Sequence, residues 1–298
     1  MKQPLDIVIM AAGKGTRMKS AVPKVLQKLA HQPLVQHVLD TAAQLQARQV
    51  VVITGHGAEQ VEAALMQADG VEPRRRFARQ MPQLGTGHAV QQAAPVLADD
   101  GIVVVLSGDV PLTQADTIAA LIGQSGGDKL ALLTLQMDNP FGYGRIIRNG
   151  AGQVQRIVEQ KDGAPGELAV NEIYSGIMAA PASLLKGWLA KIDNDNAQKE
   201  YYLTDVVKLA VTDGVPVVAH CIDDAVQVAG VNSPQQLAEL EREYQRRQAN
   251  QLLQQGVRLR DPARFDVRGA LTCGQDVEID VNCLFEGAVT LGCNVRIG

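Results

Sequence analysis

The segment MAAGKGTRMKSAVPKVL, residues 10 to 26, packs glycines, lysines and an arginine into one loop directly after the apolar run LDIVI. Glycines let backbone N–H groups come close to an anion, and Arg17 and Lys24 add positive charge at two ends of the loop. Arginine offers a forked pair of donors and lysine a point charge, so both types have a use around a phosphate. The string is not a dinucleotide fingerprint, because Met18 stands where the third glycine of G-x-G-x-x-G belongs, and it is not a G-x-x-x-x-G-K-[ST] loop. A second residue with chemical promise is Asp109, which closes the apolar run IVVVLS across Gly108. A carboxylate at the end of a strand suits a hard cation such as Mg²⁺, which takes few protein oxygens beside substrate phosphates. His56 and His88 adjoin motif glycines and read as capping or packing residues; neither forms an evident pair with a carboxylate.

These residues need strands and helices to place them. Residues 5–11 read as a buried strand, and Pro33 opens a helix through about Ala47 with Leu34, Val38, Ala42 and Leu45 on one face. Further strands are expected at 50–54, 102–107, about 129–137, 153–158 and 170–179, with helices at 57–67 and near 114–123. Continuous apolar strands alternating with helices predict a largely parallel α/β sheet covered on both faces. Such sheets bind ligands at the carboxyl ends of their strands, where both the opening loop and Asp109 fall.

Composition narrows the class. The chain has 298 residues, 46% of them apolar, and a net charge of −4. No global basic field favours nucleic acid, and the one tight basic run, Arg74 to Arg76, reads as a solvated loop. No run of about 18 apolar residues predicts a membrane span, and no signal-peptide pattern opens the chain. The four cysteines, Cys221, Cys273, Cys283 and Cys293, include no C-x-x-C pair, so a reduced cytoplasmic protein without zinc is expected.

After Asn232 the pattern changes. Ser233 and Pro234 start a mostly polar helix, with Gln236 completing a capping box and Gly256 ending it. Its narrow stripe of Leu237, Leu240, Tyr244 and Leu252 suits a bridge about 33 Å long between domains. Beyond it, Phe265, Leu271, Val277, Cys283, Val289 and Val295 recur every six residues, as do Val267, Cys273, Ile279, Phe285, Leu291 and Ile297. Two such columns predict a parallel β-helix of hexapeptides, with Cys273 and Cys283 as small core residues. Cys293 lies off both columns. The pattern still runs at Gly298, which reads as a fragment of a longer solenoid or an end covered by a partner.

The string AAGKGTRM followed by PK resembles the loop of sugar-phosphate nucleotidyltransferases. In order, QLGTGHA (83–89), GDVPL (108–112), GYGRI (142–146), VEQKD (158–162), NAQKEYYLTD (196–205), GVN (230–232) and RDPARFDVRG (260–269) resemble the bacterial bifunctional N-acetylglucosamine-1-phosphate uridyltransferase/glucosamine-1-phosphate acetyltransferase family. The resemblance covers the whole chain. It implies a Rossmann-like nucleotidyltransferase domain with a mixed, mostly parallel sheet at 1–232, a linker helix at 233–256 and the first coils of a left-handed parallel β-helix at 257–298. It implies a cytoplasmic enzyme that joins UTP and N-acetylglucosamine 1-phosphate into UDP-N-acetylglucosamine, a cell-wall precursor, with release of pyrophosphate. The family's acetyl transfer uses later coils, so it is expected to be absent here; the family's trimer packs through the same β-helix. No nucleic acid or membrane partner is implied.

Residue by residue, the resemblance makes Arg17 and Lys24 catalytic, Arg17 on the leaving pyrophosphate and Lys24 between the α-phosphate and the sugar phosphate. Asp109 and Asn232 would hold Mg²⁺. Met10, Ala11, Ala12 and Gly13 would line the nucleoside through their backbone, while Gln80, Gly85 and Thr86 would read uracil. Ser107, Gly108 and Asp109 at the strand end would also bind substrate, Gly144 and Glu159 match sugar-binding positions, and Tyr174 would bind substrate where the family places an asparagine that contacts the sugar. Two departures stand out. Tyr174-Ser175-Gly176 replaces the family's usual NTG, and Ser107 replaces an aromatic residue common before Gly-Asp. Two other readings remain: a nucleotidyltransferase of thymidylyl or glucosyl type, and a non-catalytic regulatory module of the same fold. The second is disfavoured because Arg17, Lys24, Asp109 and Asn232 are all present.

Overall fold

The opening strand, Leu5–Ala11, sits in the middle of a nine-stranded sheet. The computed structural model describes residues 3–66 and 73–298. On one side of the opening strand lie Gln49–Thr54 and then Arg74–Arg79; on the other lie Ile102–Ser107, Glu172–Pro181, Leu130–Gln136 and Val217–Ile222. All these neighbours run parallel except Glu172–Pro181, which is antiparallel to both strands beside it. The chain therefore leaves the opening strand to one side and returns to its other side at Ile102–Ser107. This reversal of direction opens a crevice at the carboxyl ends of the two strands.

The apolar strands bury alternate side chains on two faces. Ile7, Ile9, Val50, Val52, Val104 and Leu106 face one core cluster with Val35 and Val38 of helix Leu34–Gln44 and Ile118 and Leu121 of helix Ala115–Ser125. Val8, Val51, Ile53, Val103 and Val105 face the other, with Val90 of Thr86–Ala93 and Leu185 and Trp188 of Ala182–Leu189. Each such side chain contributes about 1.5–3 kcal/mol of apolar burial, which is why strands with no polar face form here at all.

The structure corrects several details. Arg74 to Arg76 belong to an edge strand rather than a loop: they pair in register with Gln49 to Val51 and share one flank of the sheet. Arg75 is half-buried and donates to the Leu65 carbonyl at 3.1 Å, while Phe77 and Ala78 of the same strand pack against the two core clusters. The first helix ends at Gln44, short of Ala47, and Pro33 precedes it as N-cap. The second helix spans Ala58–Met66; residue 67 lies outside the described residues. Strands Gly144–Arg148 and Val217–Ile222 were not anticipated.

The linker helix, Pro234–Gln254, is capped by Ser233, whose Oγ accepts the Gln236 N–H at 3.2 Å. Gln236 does not close the expected box on Ser233; its Oε1 accepts the Asn232 N–H at 2.8 Å instead. Leu240 packs with Leu29, Leu34, Leu112 and Val231, while Ala249 and Leu252 pack at the other end with Phe265 and Val267, so the helix does bridge two cores. Beyond it, Phe265–Cys273 pairs in parallel with Cys283–Leu291, Phe265 opposite Cys283. Arg258–Leu259, Glu278–Ile279 and Arg296–Ile297 form a second parallel ladder. Both six-residue columns converge on one core cluster, Cys273 and Cys283 included, and Cys293 is exposed.

Candidate active site

Lys24 is the centre of the crevice. Its Nζ forms an ion pair with Asp109 Oδ2 and donates to Asn232 Oδ1 at 3.0 Å. These residues lie far apart in sequence, and local structure fixes each. Gly15 adopts φ +59°, and a Cβ there would lie 2.6 Å from Lys24 Cβ, so only glycine lets the two ends of the loop close on each other. Lys24 itself starts a short 3₁₀ turn behind Pro23. Asp109 follows the strand end at Gly108, whose N–H bonds the Met10 carbonyl at 2.9 Å, and its own carbonyl accepts the Val231 N–H at 2.9 Å. Asn232 is held by Gln236 as described. Two hard oxygens thus converge on one cationic atom, the donor set that a divalent cation with few protein ligands requires.

Around this point lies a cleft of about 330 Å³ lined by Met10, Ala11, Ala12 and Gly13 on one wall and Gln80, Gly85 and Thr86 on another, with Ser107 and Asp109 at its floor. Gln83 and Glu200 line it too, which the sequence reading did not single out. The buried Gln80 donates its amide group to the Gly85 carbonyl at 2.8 Å and contacts His88 Nδ1 at 3.2 Å, so His88 braces Gln80. Gly85 has φ +112° and no room for a Cβ, which would fall 2.5 Å from the Tyr201 carbonyl oxygen. Thr86 Oγ1 accepts the Leu203 N–H at 3.0 Å. Gly108 is buried behind the floor rather than on it. Arg17 is exposed in the turn Thr16–Met18 and is not part of the cleft wall.

A second hollow of about 220 Å³ adjoins the first, sharing Met10, Thr86 and Ser107 with it. Gly144, Glu159 and Tyr174 line it, together with Tyr143, Ser175, Gly176 and Thr204. Glu159 is the only carboxylate among its lining residues. Its Oε1 accepts the buried Thr204 hydroxyl at 3.0 Å, and burial pushes its carboxyl above the ordinary range, against that hydrogen bond. A register shift between Tyr174 and Met178 lifts Gly176 to φ +90°, beside the Ser107 hydroxyl. The Tyr174 hydroxyl is sealed from solvent with no hydrogen-bond partner among the described residues. Thr204 escaped sequence reading because its partner lies 45 positions away; the motif NAQKEYYLTD was its only signal.

The MobA-like NTP transferase domain matches residues 7–182 of this chain. Over 304 residues the chain is 64% identical to the protein named bifunctional protein GlmU of Acidovorax ebreus (strain TPSY), covering 99% of the chain and 64% of that protein. It is 67% identical to the protein of the same name from Polaromonas naphthalenivorans (strain CJ2), covering 96% of the chain and 62% of that protein. The chain thus spans less than two thirds of the length of these relatives. In structure it resembles UDP-glucose pyrophosphorylase complexed with UDP-glucose, with a TM-score of 0.64 and 16% identity over 81% of this chain and 98% of that one; this likeness shows the fold.

Proposed function

Since the chain belongs to the MobA-like NTP transferase family, we propose that it transfers a uridylyl group from UTP to N-acetylglucosamine 1-phosphate, giving UDP-N-acetylglucosamine and pyrophosphate. The observation that carries this reading is the convergence of Lys24, Asp109 and Asn232 at a strand-end reversal, between a cleft walled by backbone and amide groups and a hollow holding one carboxylate. The high identity to relatives named bifunctional protein GlmU supports this reading, and the nucleotide and sugar are those that the motif resemblance implies.

The nucleoside would lie along Met10 to Gly13. Gln80 has its N–H groups engaged by protein acceptors, which leaves its oxygen as the end able to accept from an imide N–H. Gly85 and Thr86 would complete that wall. The sugar would enter the hollow, with Glu159 accepting from its hydroxyls and Gly144 and Tyr174 shaping its sides. The attacking phosphate oxygen is already deprotonated at neutral pH, so no general base is needed, in keeping with a cleft beside which His88 braces Gln80. Rate then comes from holding two anions in line and neutralising their charge.

Lys24 would lie between the α-phosphate and the incoming sugar phosphate. Arg17, exposed at the loop, would meet the outer phosphates. Asp109 and Asn232 are the oxygens that would hold Mg²⁺, which when bound neutralises phosphate charge in the transition state. We also propose that the transferase unit spans 1–232, the linker helix 233–256 and the β-helix start 257–298.

The test is pyrophosphate release with each nucleoside triphosphate paired with each sugar phosphate, with and without Mg²⁺. The expected result is Mg²⁺-dependent release that needs UTP and N-acetylglucosamine 1-phosphate together. A clear preference for dTTP would overturn the uridylyl assignment, and no release with any pair would overturn the enzymatic reading.

A further inference from the structure

Lys24 takes on one more role before any substrate arrives. Its ammonium is paired with the Asp109 carboxylate and bonded to the Asn232 amide oxygen, the two groups assigned to the metal. Its side chain is 13% exposed and that of Asp109 20%, so water screens this contact poorly. The backbones that carry the three side chains are held in place. Asp109 is tied through its backbone to Val231, Asn232 is tied to Gln236 on the linker helix, and the loop end carrying Lys24 is closed by Gly15. A divalent ion seated between Asp109 and Asn232 would sit within a few ångströms of the Lys24 ammonium in this arrangement, and repulsion between the two disfavours joint occupancy.

We propose that Lys24 is a placeholder cation. In the nucleotide-free protein it occupies the seat of the divalent ion, and it gives that seat up only when a triphosphate provides the ammonium with another anion. Free metal is thus bound weakly, and metal and nucleotide enter as a coupled pair. The device keeps Asp109 neutralised and the two oxygens spaced for a cation while the site is empty of substrate. It rests on the proposed role of Asp109 and Asn232 as metal ligands, and adds to that role an order of events.

The experiment measures Mn²⁺ binding to the full chain without nucleotide, by titration followed through the electron paramagnetic signal of free Mn²⁺. Thermal unfolding of each variant checks that it is folded. Lys24→Met is expected to bind Mn²⁺ at least tenfold more tightly than wild type, with Lys24→Gln as the second neutral variant should the first not fold. Lys24→Arg, which keeps the charge, is expected to bind as weakly as wild type. Adding Asp109→Asn to the neutral variant is expected to erase the gain. Equal Mn²⁺ affinity in wild type and the folded neutral variant would overturn the placeholder while leaving the metal ligands in place. A gain that survives Asp109→Asn would overturn the metal assignment and the placeholder with it.

Discussion

Asp109 carries the most charge-sensitive position in the crevice. Replacing it with asparagine keeps the shape and removes the charge that pairs with Lys24. Charge stabilisation by a bound metal is worth several kcal/mol, so Asp109→Asn is expected to slow transfer by about 100-fold or more; turnover near wild type in saturating Mg²⁺ would contradict the assignment. Glu159 gives a prediction with a sign. Burial raises its carboxyl pKa above the ordinary 4.5, so the folded state holds that proton more tightly than the unfolded state does. The stability associated with the neutral form is present below about pH 4.5 and is lost as pH rises through the raised value. Glu159→Gln keeps an acceptor for Thr204 and removes the buried charge. The variant is expected to melt above wild type at pH 8, with the gap closing toward pH 4.5, while its KM for the sugar phosphate rises roughly tenfold or more for loss of charged hydrogen bonds. A variant that melts below wild type at pH 8 would contradict the burial argument.

Elements decide whether those residues meet. The start of the linker helix holds Asn232, because Gln236 accepts the Asn232 N–H. Gln236→Ala is expected to raise the Mg²⁺ concentration needed for half-maximal rate a few-fold, roughly the effect of one lost hydrogen bond, with little change in turnover at saturating Mg²⁺. Ser233→Ala is expected to cost about 1 kcal/mol of stability through the lost cap, read by chemical denaturation. Much of this scale was legible in sequence. The apolar strands, the Ser233 cap and the six-residue columns all follow from local patterning. The edge strand at Arg74–Arg79 was not, because three arginines open it and its two apolar residues, Phe77 and Ala78, are adjacent, so no apolar alternation marks it. The Gln236–Asn232 bond was missed by one residue, since the sequence places a glutamine on the cap without saying which amide it reaches. The Lys24–Asp109 pair was hidden because both residues were assigned to ligands, and only the folded backbone shows that they hold each other first.

At the scale of the whole molecule, the linker helix joins a sheet that carries the crevice to a solenoid that supplies none of the residues lining it among those described. Gln245 is buried and bonds both the N–H and the carbonyl of Val267, so the helix is keyed into the first long strand of the solenoid. Phe265 is 2% exposed and its ring packs on Phe285 at 5.7 Å between centroids. Phe265→Ala is expected to cost about 3–5 kcal/mol there and to lower the denaturation midpoint, with transfer at 25 °C changed less than about threefold. Loss of activity in a protein still folded would show that the two ends are coupled. No helix among the described residues is long and apolar enough to cross a membrane.

The most direct measurement of the central claim is a crystal structure of this chain with UDP-N-acetylglucosamine and Mn²⁺, using the anomalous signal of the metal. The account predicts an anomalous peak between Asp109 and Asn232, the diphosphate against Lys24, uracil beside Gln80 and the sugar beside Glu159. A diphosphate bound away from Lys24, with the metal elsewhere, would contradict it.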